Sequence, residues 1–518
     1  MSTLSLVALI VVALAAFPNR CIWKSRSGYG VLVSGQVAIA ASACQPLRWN
    51  PSAASSCTVF DDMCVDHGSM LITHEHRYQI ENVRRQDTPG LPAMKWNLPM
   101  RVNSYPDALG GWQPDFQVMI RPVSKVEPTP PLRHPNWSNC TLPVIIMGDF
   151  LYNYKTFVTK VLTDVDSMFR IKGLAPDYDA TLVLATPSGL ALEPYHAALL
   201  SPYSRRPLIT LAELGRRGLE GRPAQWATEG VRVHCFSKVL ACKLDQRENT
   251  PPHHAANAVI SHLGAAVPPD PLGFGAAGAA AAAGGGWDES VLRVVVEARS
   301  APWRSLKNVE EILRACEQAN AQGFSAGPFR RILCKPLPAS YDSALPATGS
   351  VDLSGPAATA LYGVLGAVRS AHLFISISGS SGAHAFFMQH SSGEAGAGQS
   401  GSGLIEVRPC GWGSAHAGRA DGAPDAMMGQ LQRGDDAIRF FAYNVEDTAQ
   451  CSPPDFEPAL RTAAANGSSS SSASAASYIQ PQPIHTLENK SPPRYSPAEL
   501  LVRDQHLTLK PAPLLAMV

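Results

Sequence analysis

Short apolar runs closed by glycine, proline or acidic residues alternate along the chain with longer stretches of helical period. Leu142 to Met147 is an unbroken apolar run that enters Gly148-Asp149, and its length predicts a strand buried on both faces. A helical stretch follows through Tyr154 to Arg170. Asp179 to Leu184 reads as the next strand, and Val231 to Leu240 contains another. Beyond residue 286 the pattern resumes. Leu292 to Glu297 is a Val-rich strand, and Val309 to Ala319 is an amphipathic helix with Ile312, Leu313 and Cys316 on its inward face. Ala357 to Arg369 is a further helix, His372 to Ile377 a short buried strand running into Ser378-Gly379, and Leu404 to Val407 the last clear strand. Strands alternating with helices predict parallel α/β architecture.

The interruptions divide the chain. Residues 1–17 form an apolar leader and 18–44 a stem. Residues 45–265 make a first α/β domain, whose opening up to about Pro131 mixes short apolar runs with Pro and Asn and predicts irregular structure with short strands. Residues 266–286 are proline followed by an Ala/Gly tract, a composition that buries little side chain and reads as a linker. Residues 287–450 make a second α/β domain, carrying a Gly/Ser-rich surface insertion at 391–402. From 451 to 518 the Ala/Ser and Pro-rich composition predicts a disordered tail.

Composition narrows the class. The 518 residues are 45% hydrophobic, enough for real cores, and suggest about two to three domains at roughly 150 residues each. A net charge of +1 gives no electrostatic case for nucleic acid or an acidic membrane surface as partner. Leu4 to Phe17 is apolar except for Ser5, too short for a comfortable span of about 20 residues, and Ala13-Leu14-Ala15 offers small residues for cleavage. A cleaved signal, an uncleaved anchor and a buried helix all remain open; the basic residues Arg20, Lys24 and Arg26 follow the run instead of preceding it. The 11 cysteines lack the paired spacings of a zinc site. Cys57 and Cys64 flank a short segment and suggest a local disulfide, while the odd total leaves one thiol over, Cys21 being one choice. Asn136-Trp-Ser and Asn139-Cys-Thr are glycosylation sequons in a Pro-rich loop. Together these point to the secretory lumen.

Two α/β halves invite a ligand beyond the carboxyl ends of their strands, where helix N-termini favour phosphate. Other motifs carry less. Asp164-Val-Asp166 fits an Asp-x-Asp metal pattern but falls in a helix, where residues two apart do not share a face, so it reads as a solvated helix surface and no metal is expected. Asp61-Asp62 and Asp435-Asp436 are equally weak. Ser378-Gly-Ser-Ser381-Gly382 does not fit a nucleophile elbow. His253-His254 reads as loop, and Cys235-Phe236 as core.

In the second half, Val294 to Arg299 and then Arg304 to Asn308 resemble glycosyltransferase family 61. Val294-Val-Val-Glu-Ala-Arg299 followed by Arg304-Ser-Leu-Lys-Asn308 is similar to the family's strand ending in Arg, second Arg, and Asn opening a helix. Ala371 to Gly379 with Ala385-Phe-Phe387-Met388, Leu404-Ile405-Glu406-Val407-Arg-Pro409, Val233-His-Cys235-Phe236, and Cys57 to Asp66 resemble four further family motifs, all in the family's order over about residues 57 to 412. The resemblance implies a GT-B fold, in which two Rossmann-like domains face each other across a cleft. It implies inverting transfer of xylose, arabinose or N-acetylglucosamine from a UDP-sugar, as co-substrate without further cofactor, to a glycan or glycoprotein. Carried onto these residues, it makes Arg299 and Arg304 phosphate ligands, Ser378 and Gly379 part of the donor site, and Glu406 an acceptor from ribose hydroxyls.

The chain also departs from the pattern. Ser378 stands where the family has His, and a serine hydroxyl cannot replace imidazole as a base near neutral pH. Asp149, Tyr152 and Thr156 stand where the family has Asn, His and Asp. The candidates for the base are then Asp149 and His384. The expected location is the ER or Golgi lumen, with membrane contact only through an N-terminal anchor. The alternative is a lumenal or secreted binding protein that keeps the fold without catalysis.

Overall fold

The computed structural model describes residues 57–66, 70–73, 119–122, 136–138, 142–148, 151–171, 180–186, 192–204, 206–216, 234–244, 252–275, 288–299, 304–338, 353, 355–389, 401–412, 431, 438–453 and 505–518. The leader, the stem, Asp149, Cys21, the Asn139 sequon, the Ala/Gly tract from 276 and the insertion at 391–400 lie outside them.

The first half builds one sheet from β1 (Cys57–Asp66), β2 (Met70–Thr73), β3 (Met119–Pro122), β4 (Asn136–Ser138), β5 (Leu142–Met147), β6 (Ala180–Leu184), β7 (Ile209–Thr210) and β8 (His234–Lys243). Its order is β3-β2-β1-β8-β5-β6-β7, with β4 also on β8. The run β8-β5-β6-β7 is parallel, and β1 joins it antiparallel through β8. Helix α1 connects β5 to β6 without a break as Tyr154–Thr156, Phe157–Leu162, Thr163–Asp166 and Ser167–Ile171, its second and fourth segments wound as π-helix. Helices α2 (Pro194–Leu200), α3 (Leu211–Arg216) and α4 (Pro252–Leu263) follow. The first sequon therefore sits at its Asn136 in a strand paired with β8, not in a loop.

The cysteines of this half differ from expectation. Cys57 and Cys64 lie on one extended strand, seven residues and thus about 23 Å apart, too far to join each other. They bond instead across the β1–β8 ladder, Cys57 to Cys242 and Cys64 to Cys235, so Cys235 is a staple as well as core. Asp62, between them, takes a left-handed φ of 54°, a conformation tolerated best by Asn and Asp among non-glycine residues. The strand's alternation flips there: Val59 packs with the helices, whereas Phe60, Met63 and Val65 share the opposite cluster. The flip puts two cysteines of odd spacing on one face.

The second half forms a purely parallel sheet from β9 (Val291–Ala298), β10 (Arg331–Pro338), β11 (Leu373–Ile377), β12 (Gly403–Arg408) and β13 (Arg439–Asn444), in the order β10-β9-β11-β12-β13. Helix α5 (Val309–Ala321) crosses from β9 to β10 and α6 (Pro356–Ser370) from β10 to β11. A 3-10 helix, Ser380–Phe387, leaves β11. Pro336 and Pro338 are tolerated because β10 is an edge strand with one neighbour. Cys316–Cys334 ties α5 to β10, and Cys410–Cys451 ties the end of β12 to β14 (Cys451–Ser452). All eight cysteines among the described residues are paired, which suits an oxidising, secretory or extracellular setting. No helix among the described residues is long and apolar enough to cross a membrane.

The halves share a core. Helices α1, α2 and α4 pack in one cluster with Tyr362, Val364, Leu365, Phe374, Phe386 and Leu404 of the second half. That is why Phe157, Val158, Val161, Leu162 and Val165 are all buried along α1. Asp164 and Asp166 are buried with it, and Asp166 accepts a hydrogen bond from Tyr203 Oη at 3.0 Å. The acidic pair is thus an internal anchor, not a solvated surface. The start of the expected linker is ordered too: Asp270 caps the backbone N–H groups of Phe274 and Gly275, Phe274 is buried, and the Pro268 carbonyl lies so close to Gly366 that no side chain fits there. The end of the expected disordered tail is likewise folded. Residues 505–518 form β15 (His506–Leu507), paired with β14, and α7 (Pro511–Ala516), with Leu507, Leu509 and Leu514 buried against α5. Their apolar spacing supplies the core contact that composition averaged over the tail conceals.

Candidate active site

In a sheet ordered 2-1-3-4-5 the chain leaves the first strand in one direction and the third in the other, opening a crevice at their carboxyl ends. Here that point lies between β9 and β11, and Glu297, Arg304, Ser376, Ser378, Ser381, Glu406 and Arg408, all buried, gather around it. Glu297, near the end of β9, is buried and accepts from Ser376 Oγ at 2.7 Å and from the Ile377 N–H at 3.0 Å. Its carboxylate is committed to holding the two strand ends together. One residue further, Ser378 Oγ donates to Glu406 Oε1 at 2.9 Å, and Arg408 Nε donates to Glu406 Oε2 at 2.9 Å. Glu406 and Arg408 reach the same point because strand residues two apart share a face. The Arg408 guanidinium also lies 5.7 Å from the centroid of the Phe440 ring, within cation–π range.

Arg304 completes the cluster from the loop after β9. It has a left-handed φ of 49°, and Nη1 donates to the Ser378 carbonyl at 3.4 Å. A non-glycine residue in that region is a strained position held by its surroundings. The close approach explains Gly379, since a Cβ there would stand 2.8 Å from Arg304 Nη1. Of the residues the sequence proposed, Arg304, Ser378, Gly379 and Glu406 are therefore brought together. Arg299 follows β9 directly and stays half-buried.

The first half supplies a cation to the same region. Lys155, in the first turn of α1, is half-buried. Burial pushes its ammonium pKa down; Glu406 pulls it up and Arg408 pushes it down again. Those influences put Lys155 within electrostatic reach of both. Neither Lys155 nor Arg408 was singled out from sequence. The signal for Arg408 was its i+2 relation to Glu406, but Lys155 had none.

Around Lys155 the turn after β5 is tightly held. Asn153 Oδ1 accepts from the Thr156 N–H at 3.0 Å and from Thr156 Oγ1 at 3.2 Å, so Thr156 serves the helix cap. The Leu151 carbonyl accepts from Tyr195 Oη at 3.1 Å and from His196 Nε2 at 2.9 Å, while His196 Nδ1 accepts from the Glu193 N–H at 3.0 Å. With both ring nitrogens used in this way His196 is the neutral Nε2–H tautomer, and burial lowers its pKa to about 3. Tyr152 meets His196 edge-on at 4.9 Å, and burial raises its phenol well above the ordinary range. Glu193, half-buried beyond β6, has its carboxyl raised to about 7 by burial. The sequence reading missed it, because nothing local distinguishes it from a helix-cap glutamate.

His384 lies elsewhere in character. It is fully buried in the 3-10 helix, 4.6 Å from the Tyr154 ring, and burial drops its pKa to about 3. An imidazole so weakly basic and so enclosed is a packing group of the shared core, which removes the reason for choosing it as a base. Among the described residues no group of three or more His, Cys, Asp or Glu side chains could hold a metal ion. Neither a protein-family model nor a curated protein sequence matches the chain.

Proposed function

We propose that this protein is an inverting glycosyltransferase of the family 61 type, using a UDP-sugar in the secretory lumen, on a GT-B arrangement of its two halves. The observation that carries the reading is the convergence of Arg304, Ser378, Gly379 and Glu406 at the switch point of a doubly wound parallel sheet. Arg304 and Lys155 neutralise the diphosphate as the glycosidic bond to UDP breaks, an electrostatic contribution of the kind that dominates such transfers. Gly379 lets backbone approach the phosphates, and Glu406, oriented by Arg408 and Ser378, accepts from the ribose. The acceptor is a glycan or glycoprotein hydroxyl held by the first half. Its proton passes to a carboxylate of that half as its oxygen attacks the anomeric carbon. Asp149 is one candidate base. Glu193 is the other, and a carboxyl titrating at about 7 is matched to that task.

The test is UDP release by the secreted chain from a panel of UDP-xylose, UDP-arabinose and UDP-N-acetylglucosamine. Turnover with one donor, reduced roughly a hundredfold in Arg304→Ala, is the expected result. A wild type that binds neither UDP nor any donor overturns the reading.

A second reading has its own support. Ser378 occupies the position of the family's histidine and is bonded to Glu406, while His384 is sealed beneath Tyr154. These favour a lumenal binding protein that retains the nucleotide crevice without transfer. UDP binding without turnover, with turnover gained in Ser378→His, selects it.

A further inference from the structure

The loop that carries Arg304 is held by residues about two hundred positions away. Leu507 N–H donates to the Ser305 carbonyl at 2.9 Å, and Lys307 N–H donates to the Leu507 carbonyl at 2.8 Å. Asn308 and Leu509 exchange a reciprocal pair, Asn308 Nδ2 to the Leu509 carbonyl at 2.7 Å and Leu509 N–H to Asn308 Oδ1 at 3.0 Å. The buried His506 ring nitrogen Nδ1 lies 2.6 Å from Ser305 Oγ and 3.4 Å from Ser305 N. The backbone N–H can only donate, so Nδ1 is the acceptor and the ring proton sits on Nε2. Ser305 and Asn308 are themselves buried, and Leu507, Leu509 and Leu514 fix the strap to Leu306, Ile312 and Cys316.

The other side of the strap is tied to the other side of the crevice. β15 pairs with β14, Thr508 N–H donates to the Gln450 carbonyl at 2.8 Å, and Lys510 Nζ meets Asp447 Oδ2 at 2.9 Å. Cys451 of β14 is bonded to Cys410, two residues past Arg408. A continuous chain of covalent and hydrogen bonds thus runs from the Glu406–Arg408 strand end, through Cys410–Cys451 and β15, to the loop bearing Arg304.

We infer that residues 505–518, anchored through Cys410–Cys451, form the positioning element that holds Arg304 in its left-handed conformation against Ser378, and so set the affinity of the crevice for a nucleoside diphosphate. The ligand class rests on the function proposed above, whereas the clamping does not. A left-handed arginine relaxes readily once its neighbours are released. The strap supplies bonds to residues 305, 307 and 308, immediately beside it.

The test uses the full chain carrying His506→Ala, and separately His506→Ala with Asn308→Ala, both screened for unchanged far-UV circular dichroism. Backbone hydrogen exchange of the peptide covering 304–309 and UDP affinity are measured together. The expected result is exchange at 304–309 accelerated at least tenfold, with β5 and β6 unchanged, and UDP binding weakened about tenfold. His506→Asn, whose Oδ1 replaces the Nδ1 acceptor, restores both. Exchange at 304–309 that stays at the wild-type rate overturns the inference. So does exchange that accelerates across the whole second sheet, which marks the strap as ordinary core. Accelerated exchange with unaltered UDP affinity overturns the link to binding. A wild type that binds no UDP overturns the nucleotide reading, and the exchange data then decide the clamp alone.

Discussion

At the carboxyl ends of its strands the first sheet presents Tyr152, Thr186 and Glu193 around a neutral His196, whereas the second presents Glu297, Arg304 and Glu406 in direct contact with serines, and Arg408 paired to Glu406. The two sheets are stapled differently as well. Two bridges lock neighbouring strands β1 and β8 of the first, and the bridges of the second tie its edge strand and its connecting segments. The contrast assigns different work to each. The first half is braced by bridges between neighbouring strands and carries a carboxyl, Glu193, raised by burial, while the site of the second relies on paired charges whose partners are mutually dependent.

The largest effect that can break this comparison is on stability. The β1–β8 bridges close loops of 185 and 171 residues, against 18 for Cys316–Cys334. Loop-closure entropy then predicts that replacing the four β1 and β8 cysteines by Ala costs about 5 kcal/mol or more, against about 3 kcal/mol for the shorter bridge. Guanidinium unfolding of the two variants measures it, and an equal or reversed order removes the claim that the first half is the braced one. Next in size is Arg408→Met, which leaves Glu406 buried beside Ser378 without its guanidinium. A loss of about 3 kcal/mol is expected, largely recovered when Glu406→Gln is added.

The buried imidazoles sharpen the comparison through pH. Each has its pKa depressed in the fold to about 3. A depressed imidazole stabilises the fold fully above its ordinary pKa of about 6.5, and that contribution is lost as the pH falls towards 3. For His384 the slope is about 1.4 kcal/mol per pH unit. His384→Phe should therefore lose about 2 kcal/mol less than wild type between pH 6.5 and 5, read as the shift in urea midpoint. Glu193 has the opposite sign. Its raised carboxyl favours the fold below its ordinary pKa of about 4.5, and that contribution fades as the pH rises through about 7. The smallest effect follows: in Glu193→Gln the gentle decline in melting temperature between pH 5 and 8 should flatten.

Much of the scaffold was legible in the sequence. The unbroken run Leu142 to Met147 could be buried only as a strand, and Val291–Ala298, Val309–Ala321 and Pro356–Ser370 fall within a residue or two of their reading because period and flanking residues agree there. The strands β10 and β13 were missed. The first contains two prolines, which are permitted only by its place at the edge, and the second is the opposite edge strand, whose short run Phe440-Phe441-Ala442-Tyr443 stays half-buried or exposed between polar residues. Arg304, Ser378 and Glu406 came from the family 61 resemblance, and their convergence depends on strand order, which no local pattern encodes. Disulfide partners were hidden for a related reason. Cys57 and Cys64 look paired by proximity in sequence, but an extended strand separates them and a flip at Asp62 turns both towards β8.

The reach of the strap has a consequence for the order in which the protein is made. Asn308 and Leu509 stand 201 positions apart. At about 5 to 20 residues per second, roughly 10 to 40 s separate the emergence of the Arg304 loop from that of its partner. During that interval the rest of the parallel sheet has already been synthesised. The crevice is therefore assembled in two installments, first its floor and later the latch on its arginine. A nascent chain that ends between residue 453 and residue 505 holds every strand of the parallel sheet but none of the residues that bond to the Arg304 loop.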